Sequence, residues 1–489
     1  MTNKIDRRKF LQYSGLGLAA ASSSSLLSGC SDSYDTPENP EFWKAGNYPP
    51  VSSEITETAL KIEGSLPTDL NGLYVRNGPN VWNGATEHFF MGDGMLHGIH
   101  FENGMAKWYK NKYVQTPLLK KQRGILLKPP ELNANQSNVS LIHHGGKLLS
   151  LGEAGWAYEI DPTDLSTRGV MNYDNKLQTA MTAHPKIEPD TGVMHFFGYG
   201  VFAPFLTYHQ ANAKGELIKS VPLDTNGPAM MHDFAMTDNY VVFMELPVVF
   251  SMFKAVTMDP FPFGWDEDAV CRMGVLPKNG SAVDMKWFDV PRCFVFHTMN
   301  AFESGDEVVM DAARYDALWV KGSGDFNHPA YLTRFAFNMK TGKASVTRVN
   351  EQSMEFPQIN REFWGNDYQY GYSLTSRMED GYISYDGASG FMKFDLHSGS
   401  SQTLALPKGV APSEPLYIPS SDGSAEDDGY VFSYVYEPST QTSDLWVLDA
   451  HDISKGPIAK VKLPVRVPIG FHGVWVPENL TIDKSATRN

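Results

Sequence analysis

One unit recurs along this chain: an alternating strand ends on Asp or Asn, a polar turn containing Gly follows, and a second alternating strand leaves. It occurs at Tyr158-Glu159-Ile160-Asp161 with a turn at 166–169, at Phe337-Asn338-Met339-Lys340-Thr341-Gly342, at Phe394-Asp395-Leu396-His397-Ser398-Gly399, and at Val447-Leu448-Asp449 before Gly456. Asn338, Asp395 and Asp449 are 57 and 54 residues apart. That spacing is near the length of a four-stranded propeller blade with one long loop, each hairpin being the outer strand pair of its blade. Divided into the roughly 440 residues that remain after a polar, proline-dotted start, it predicts about seven or eight blades. The 42 Gly and 31 Pro suit many turns between short strands. Helical periodicity is scarce, residues 118–127 being the best short amphipathic candidate. The expected fold is all-β, one large domain over 51–489.

A propeller offers one place where distant residues can converge, the axis lined by the innermost strand of every blade. His184, His232, His297 and His472 each sit in short apolar, strand-like runs, with 48, 65 and 175 residues between successive members. No helix or local loop joins residues so far apart. A metal held only by neutral imidazoles would keep its full positive charge and suit dioxygen binding. A lone strand histidine is nevertheless more often a satisfied core residue, and pattern alone does not separate these four from His195 or His209. His328, His397 and His451 read as solvated turn residues, His143 and His144 as a hairpin before Gly145-Gly146, and His88, His97 and His100 as packing or loop residues.

The choice among fourteen histidines comes from resemblance. Leu73-Tyr74-Val75-Arg76-Asn77-Gly78-Pro79-Asn80, Phe90-Met91-Gly92-Asp93-Gly94-Met95-Leu96-His97, Ala183-His184-Pro185-Lys186, Met231-His232-Asp233-Phe234, Phe296-His297-Thr298-Met299-Asn300, Glu355-Phe356-Pro357 and Gly470-Phe471-His472-Gly473 resemble, in order, the signature blocks of the carotenoid cleavage oxygenases. They span essentially all of the chain from residue 50 onward. The resemblance implies a seven-bladed β-propeller, with loops and short helices capping one non-haem iron(II) on its axis and His184, His232, His297 and His472 as ligands. It also implies three glutamates behind the histidines: Glu153 paired with His232, Glu355 with His297 and Glu414 with His472. A carboxylate accepting the second ring N–H fixes the tautomer and makes the imidazole more electron-rich. Two open positions on octahedral iron leave room for dioxygen, and the expected reaction is scission of a C=C bond into two carbonyl products. The substrate is expected to be an apolar polyene in an aromatic tunnel, with Phe89, Phe90 and Phe296 as candidate walls.

The N-terminus reads Arg7-Arg8-Lys9-Phe10-Leu11, then an apolar stretch, then Leu26-Leu27-Ser28-Gly29-Cys30. Paired arginines before Phe-Leu look like a twin-arginine export signal, and Leu-Ser-Gly-Cys looks like a lipobox. Residues 1–30 are therefore expected to be a lipoprotein signal that anchors the exported chain through lipidated Cys30, with 31–50 a flexible tether. Residues 117–127, apolar at both ends around a basic centre, and the apolar run 246–263 are expected at a membrane-facing tunnel mouth. The net charge of −15 argues against nucleic acid as a partner. Cys271 and Cys293 alone do not make a disulfide framework.

Three other functions compete with carotenoid or apocarotenoid cleavage. Stilbenoid cleavage is disfavoured because Gly152 stands where that branch carries a phenolate-binding lysine before its first glutamate. A non-catalytic propeller is disfavoured because all four histidines and all three glutamates are present. Isomerohydrolysis would be told apart by the absence of oxygen uptake.

Overall fold

The structure, a computed structural model, describes residues 41–84, 86–119, 132–257, 259–379 and 382–478. Its outer hairpins fold through the expected turn chemistry. Asn338 Oδ1 accepts the Lys340 and Thr341 N–H groups at 3.2 and 2.8 Å, and Asp395 Oδ1 accepts those of His397 and Ser398, both at 3.1 Å. Asp161 and Asp449 accept the N–H two residues on in the same way. A short acceptor that satisfies the turn backbone locally explains why Asp or Asn sits at each of these strand ends. Gly342 and Gly399 complete two of the turns, both at φ 72°, where a side chain would be strained.

These hairpins belong to seven antiparallel blades around one axis. From the axis outward, blade 1 is Gly473–Pro477, Gly72–Pro79, Gly94–Glu102, Met105–Tyr113 and Thr56–Glu57; blade 2 is Ser140–His144, Lys147–Leu151, Ala157–Ile160 and Thr167–Met171. Blade 3 is Lys186–Ile187, Met194–Tyr199, Leu206–Ala211 and Leu217–Leu223; blade 4 is Ala235–Met236, Tyr240–Glu245, Arg272–Pro277 and Lys286–Asp289. Blade 5 comprises Phe294–Ser304, Glu307–Tyr315, Ala330–Asn338 and the first part of the long strand Ala344–Gln358. The end of that strand is the innermost strand of blade 6, followed by Tyr370–Glu379, Tyr382–Asp395 and Ser400–Ala405. Blade 7 has Ala411–Pro412 and Leu416–Pro419 innermost, then Gly429–Glu437, Thr442–Asp449, Pro457–Lys462 and Lys61–Gly64.

The ring closes twice. The C-terminal strand pairs with Gly72–Pro79, Arg76 opposite Gly473 and Gly72 opposite Pro477, while Lys61–Gly64 edges blade 7 with Ile62 opposite Val461. Closure leaves few exposed strand edges. Apolar side chains fill the gaps between blades: Tyr74, Ile99 and Phe101 of blade 1 meet Phe432, Leu445 and Val461 of blade 7, and Val242, Met273 and Val275 of blade 4 meet Phe294, Val308 and Met310 of blade 5. Burying each such side chain contributes about 1.5–3 kcal/mol before conformational entropy is set against it.

The structure corrects three expectations. Residues 41–50 are not a tether. Phe42 and Trp43 are buried, Phe42 packing on Phe89 and Phe326 and Trp43 on His88, and Asn47 Nδ2 donates to the Val467 carbonyl at 3.0 Å, so the domain already includes this segment. His328 is buried beside Asp325 rather than solvated, unlike His397 and His451, which are about half exposed. Of the four chosen histidines only His297 lies within a strand. His184, His232 and His472 lie one to three residues before the innermost strands of blades 3, 4 and 1. Residues 1–40, with Cys30 and the expected signal, lie outside the described residues, as do 120–127 of the amphipathic candidate.

Candidate metal centre

Each blade supplies one residue to the axis. His472 leads into blade 1, Glu153 follows the second strand of blade 2, His184 and His232 precede the inner strands of blades 3 and 4, and His297, Glu355 and Glu414 belong to the inner strands or turns of blades 5, 6 and 7. The ligating nitrogens of the four histidines lie within 4.8 Å of one another. Nε2 of His184 and Nε2 of His232 approach to 2.9 Å, and the ring centroids of His184 and His472 to 4.5 Å. His297 Nε2 is buried without a hydrogen-bond partner. A buried ring nitrogen with no acceptor or donor, turned toward three other imidazoles, needs a cation at the common point to satisfy it.

The three glutamates take the positions expected of them. His232 Nδ1 lies 3.2 Å from Glu153 Oε1, His297 Nδ1 2.6 Å from Glu355 Oε2, and His472 Nδ1 2.7 Å from Glu414 Oε1. Each carboxylate orients one ring so that Nδ1 carries the proton and the bare Nε2 faces the axis. Each is itself held by a donor that sequence reasoning did not find. Tyr199 donates to Glu153 at 2.9 Å, Tyr315 to Glu355 at 3.0 Å, and Gln358 to Glu414 at 2.7 Å. Burial, reinforced by the neighbouring carboxylates, pushes both tyrosines well above the usual phenol range, so they remain donors. A bulge between Glu355 and Gln358 aims the Glu355 carboxylate inward.

Burial, and then the charges of the other three rings, hold His184 well below the usual imidazole range, which keeps it neutral and ready to ligate. Burial lowers His472 despite Glu414. At His297 burial acts in the same direction, but Glu355, with Asp233 and Glu414, outweighs it and leaves the ring raised. Four imidazole nitrogens, on rings of which three are backed by carboxylates, fit a divalent transition metal.

A second set of contacts joins the ligand-bearing segments and was invisible from spacing. Asp233 Oδ2 accepts the Thr298 N–H and hydroxyl, both at 2.8 Å, while Oδ1 accepts the Phe234 N–H at 2.8 Å and pairs with Lys186 Nζ at 3.0 Å. Lys186, Asp233 and Thr298 stand two, one and one residues after His184, His232 and His297. This one buried carboxylate therefore ties three of the four ligand segments together. The fourth is held by Asn77, whose N–H donates to the His472 carbonyl at 3.0 Å, and by the Gly78 and Gly470 backbones, where an added Cβ on Gly78 would stand 2.7 Å from Gly470 Cα. All these residues lie in the sequence blocks quoted above, so membership in a block was the signal.

An aromatic wall covers one side of the histidines. The Phe296 ring is 5.6 Å from His232, Phe90 is 6.1 Å from Phe296, and Phe89 packs on Phe90 at 5.4 Å. Phe356, Phe471 and Trp319 complete it. Phe356 lies 5.1 Å from His297, Phe471 lies 5.2 and 5.7 Å from Phe89 and Phe90, and Trp319 lies 5.7 Å from Phe296. His195 and His209, which pattern alone did not separate from the four, are satisfied elsewhere, His195 by Glu188 and Tyr208 and His209 by Thr179 and Ser220.

Known proteins share this architecture. The family model described as retinal pigment epithelial membrane protein matches residues 48–477. A carotenoid 9,10(9',10')-cleavage dioxygenase 1 of Phaseolus vulgaris is 35% identical over 497 residues, covering 90% of each chain. The crystal structure of a Pseudomonas brassicacearum lignostilbene dioxygenase superposes with a TM-score of 0.83 at 30% identity, covering 91% of this chain and all of that one. A cobalt-substituted Synechocystis ACO superposes with a TM-score of 0.80 at 26% identity, covering 90% of this chain and 99% of that one. With seven blades, four converging histidines and a family match over nearly the whole described chain, the protein belongs to the retinal pigment epithelial membrane protein family, the carotenoid cleavage oxygenases.

Proposed function

We propose that this protein is a non-haem iron(II) dioxygenase that cleaves a C=C bond of a carotenoid or apocarotenoid into aldehyde or ketone products. The observation that carries this reading is the convergence of four imidazole nitrogens on the axis beneath an aromatic wall. His184, His232, His297 and His472 would hold the iron, which when bound supplies dioxygen activation. Glu153, Glu355 and Glu414 keep the three rings they touch in the ligating tautomer and leave the ligand set free of carboxylate. Phe89, Phe90, Phe296, Phe356 and Phe471 exclude water and give an apolar polyene a surface to lie against. Gly152 supports a carotenoid-type substrate over a phenolic one, because it offers no phenolate-binding side chain, and a Cβ there would meet Asn135 Oδ1 at 2.9 Å and Ser137 N at 3.0 Å, so a longer side chain would require this loop to shift.

Such a substrate dissolves in membranes, and the run 246–263 has the form of a contact with one. It makes a hairpin, Val248–Phe250 against Phe263–Trp265, tipped by the short helix Met252–Val256. Phe253 is 76% exposed, Val256 62% and Met252 48%, while the one cation, Lys254, turns back to the Phe263 carbonyl. Phe261 then carries the segment inward, stacked on His88 and against Phe90 and Trp319. The tip would dip into a bilayer beside the entrance, alongside an anchor at Cys30 on an exported, membrane-attached chain. Flotation with phosphatidylcholine vesicles should fall for Phe253→Asp; equal flotation would exclude this tip.

The direct test is incubation of the iron-loaded protein with a panel of carotenoids, apocarotenals and hydroxystilbenes, with mass identification of products and an oxygen electrode. Carotenoid-derived aldehydes with oxygen uptake are expected. Turnover of hydroxystilbenes alone would overturn the substrate class, isomerised product without oxygen uptake would indicate isomerohydrolysis, and failure to take up iron would leave a non-catalytic propeller.

A further inference from the structure

Cys271 and Cys293 stand at the starts of strands in neighbouring blades, Cys271 before Arg272–Pro277 of blade 4 and Cys293 before Phe294–Ser304 of blade 5. The chain between them is the outer hairpin of blade 4, which returns to its origin. Arg272 pairs with Asp289, and the Val290 N–H continues the ladder to the Cys271 carbonyl at 3.2 Å. The next turn, 291–293, wraps the Cys271 thiol, whose Sγ lies 3.6 Å from the Pro291 carbonyl and 4.0 Å from that of Cys293. The two cysteines thus meet where the hairpin closes, the Cys271 thiol lying against the backbone of Cys293. Cys293 is fully buried in the core between the blades, whereas Cys271 is partly exposed.

We propose that Cys271 and Cys293 are a reactive dithiol that closes to an intramolecular disulfide by exchange with a small disulfide, fixing blade 4 to the strand of blade 5 that carries His297. The asymmetry of the pair assigns the order of events. The neighbouring Cys293 thiol lowers Cys271 below the usual thiol range against the opposing effect of burial, and the charges of Arg292 and Arg314 add to it. Cys293 is raised well above that range by the neighbouring Cys271 thiol, by burial and by the Cys271 charge. Cys271, lower and reachable, attacks as thiolate. It forms a mixed disulfide with one half of the small disulfide and releases the other half as a thiolate. The charge that suppressed Cys293 is then gone. Cys293 gives up its proton to solvent, attacks the Cys271 sulfur and expels the second thiolate. The protein loses two electrons and two thiol protons, and the small disulfide is reduced to two thiols.

Full-length protein incubated with oxidised glutathione, alkylated and digested with trypsin without reduction tests this directly. Cleavage after Lys254, Arg272, Arg292 and Arg314 places the cysteines on separate peptides, 255–272 and 293–314. The expected product is these two peptides linked, restored to two alkylatable peptides by dithiothreitol. Cys293→Ser should stop at a glutathione adduct on Cys271, and Cys271→Ser should leave Cys293 unmodified. A wild-type protein that yields no linked pair, or that keeps glutathione on Cys271 as the variant does, would overturn the proposal. None of these readouts depends on iron or on turnover.

Discussion

Replacing Asp233 by Ala tests whether the metal centre is held by contacts that never touch the metal. Asp233 is 1% exposed and the Lys186 side chain 13% exposed, so the change leaves an ammonium group without its partner in a poorly solvated site. Removing one member of a buried ion pair typically costs about 3–5 kcal/mol. The Thr298 and Phe234 N–H groups also lose their acceptor, so the upper half of that range, about 4–5 kcal/mol, is expected. Against a total stability of about 5–15 kcal/mol this is a large fraction. Urea unfolding of the metal-free protein measures it, and Asp233→Ala combined with Lys186→Met should recover part of the loss by removing the stranded charge. Iron titration measures the second consequence. With three ligand segments no longer tied together, affinity should drop about 10–100-fold, the usual cost of losing a partner that orients ligands. A loss below about 1 kcal/mol together with unchanged iron affinity would refute the idea that this carboxylate positions the site.

His297→Ala removes one of the four nitrogens and should abolish both iron retention after gel filtration and oxygen uptake; iron content equal to wild type would contradict its placement. Glu355→Gln keeps the shape but removes the charge behind His297, so iron affinity should fall about 10–100-fold while the urea midpoint changes little; unaltered affinity would argue that Tyr315 and His297 are ordered without it. Glu188 is held down to about 2 from 4.5, first by its hydrogen bond to His195 and then, against burial, by Lys278 and Thr191. Because its folded value is depressed, the stability it contributes is full above about 4.5 and is lost as pH falls toward 2. Glu188→Gln should therefore be less stable at pH 6 and flatter between pH 5 and 2 in urea midpoints, and a parallel pH profile would exclude that linkage.

Much of the fold was legible because propeller hairpins carry their turn chemistry locally: Asn338, Asp395 and Asp449 mark outer strand pairs whatever the rest of the chain does. The innermost strands were not, since Lys186–Ile187 and Ala235–Met236 are two residues long and leave no alternation to read. This is also why His184 and His232 read as strand residues although they lie in the approaches to those strands. Residues 41–50 do not form a tether although 31–50 is polar and proline-dotted overall, because Phe42, Trp43, Asn47 and Tyr48 dock the segment on the domain. The pairing of Glu153, Glu355 and Glu414 with their histidines followed from resemblance. Tyr199 and Tyr315 had no such signal, because a hydrogen bond between residues dozens of positions apart is a property of blade packing.

The C-terminal strand that completes blade 1 also brings in His472, and Glu414 behind it comes from blade 7. The other three ligands lie at or before residue 297, yet the site stays one nitrogen short until residue 472 has been synthesised and Gly473–Pro477 has zipped onto Gly72–Pro79. A protein cut before residue 472 lacks one of the four imidazoles that converge on the axis. Metal loading thus reports on completion of the ring, and a chain retaining iron on all four imidazoles has paired Gly473–Pro477 with Gly72–Pro79.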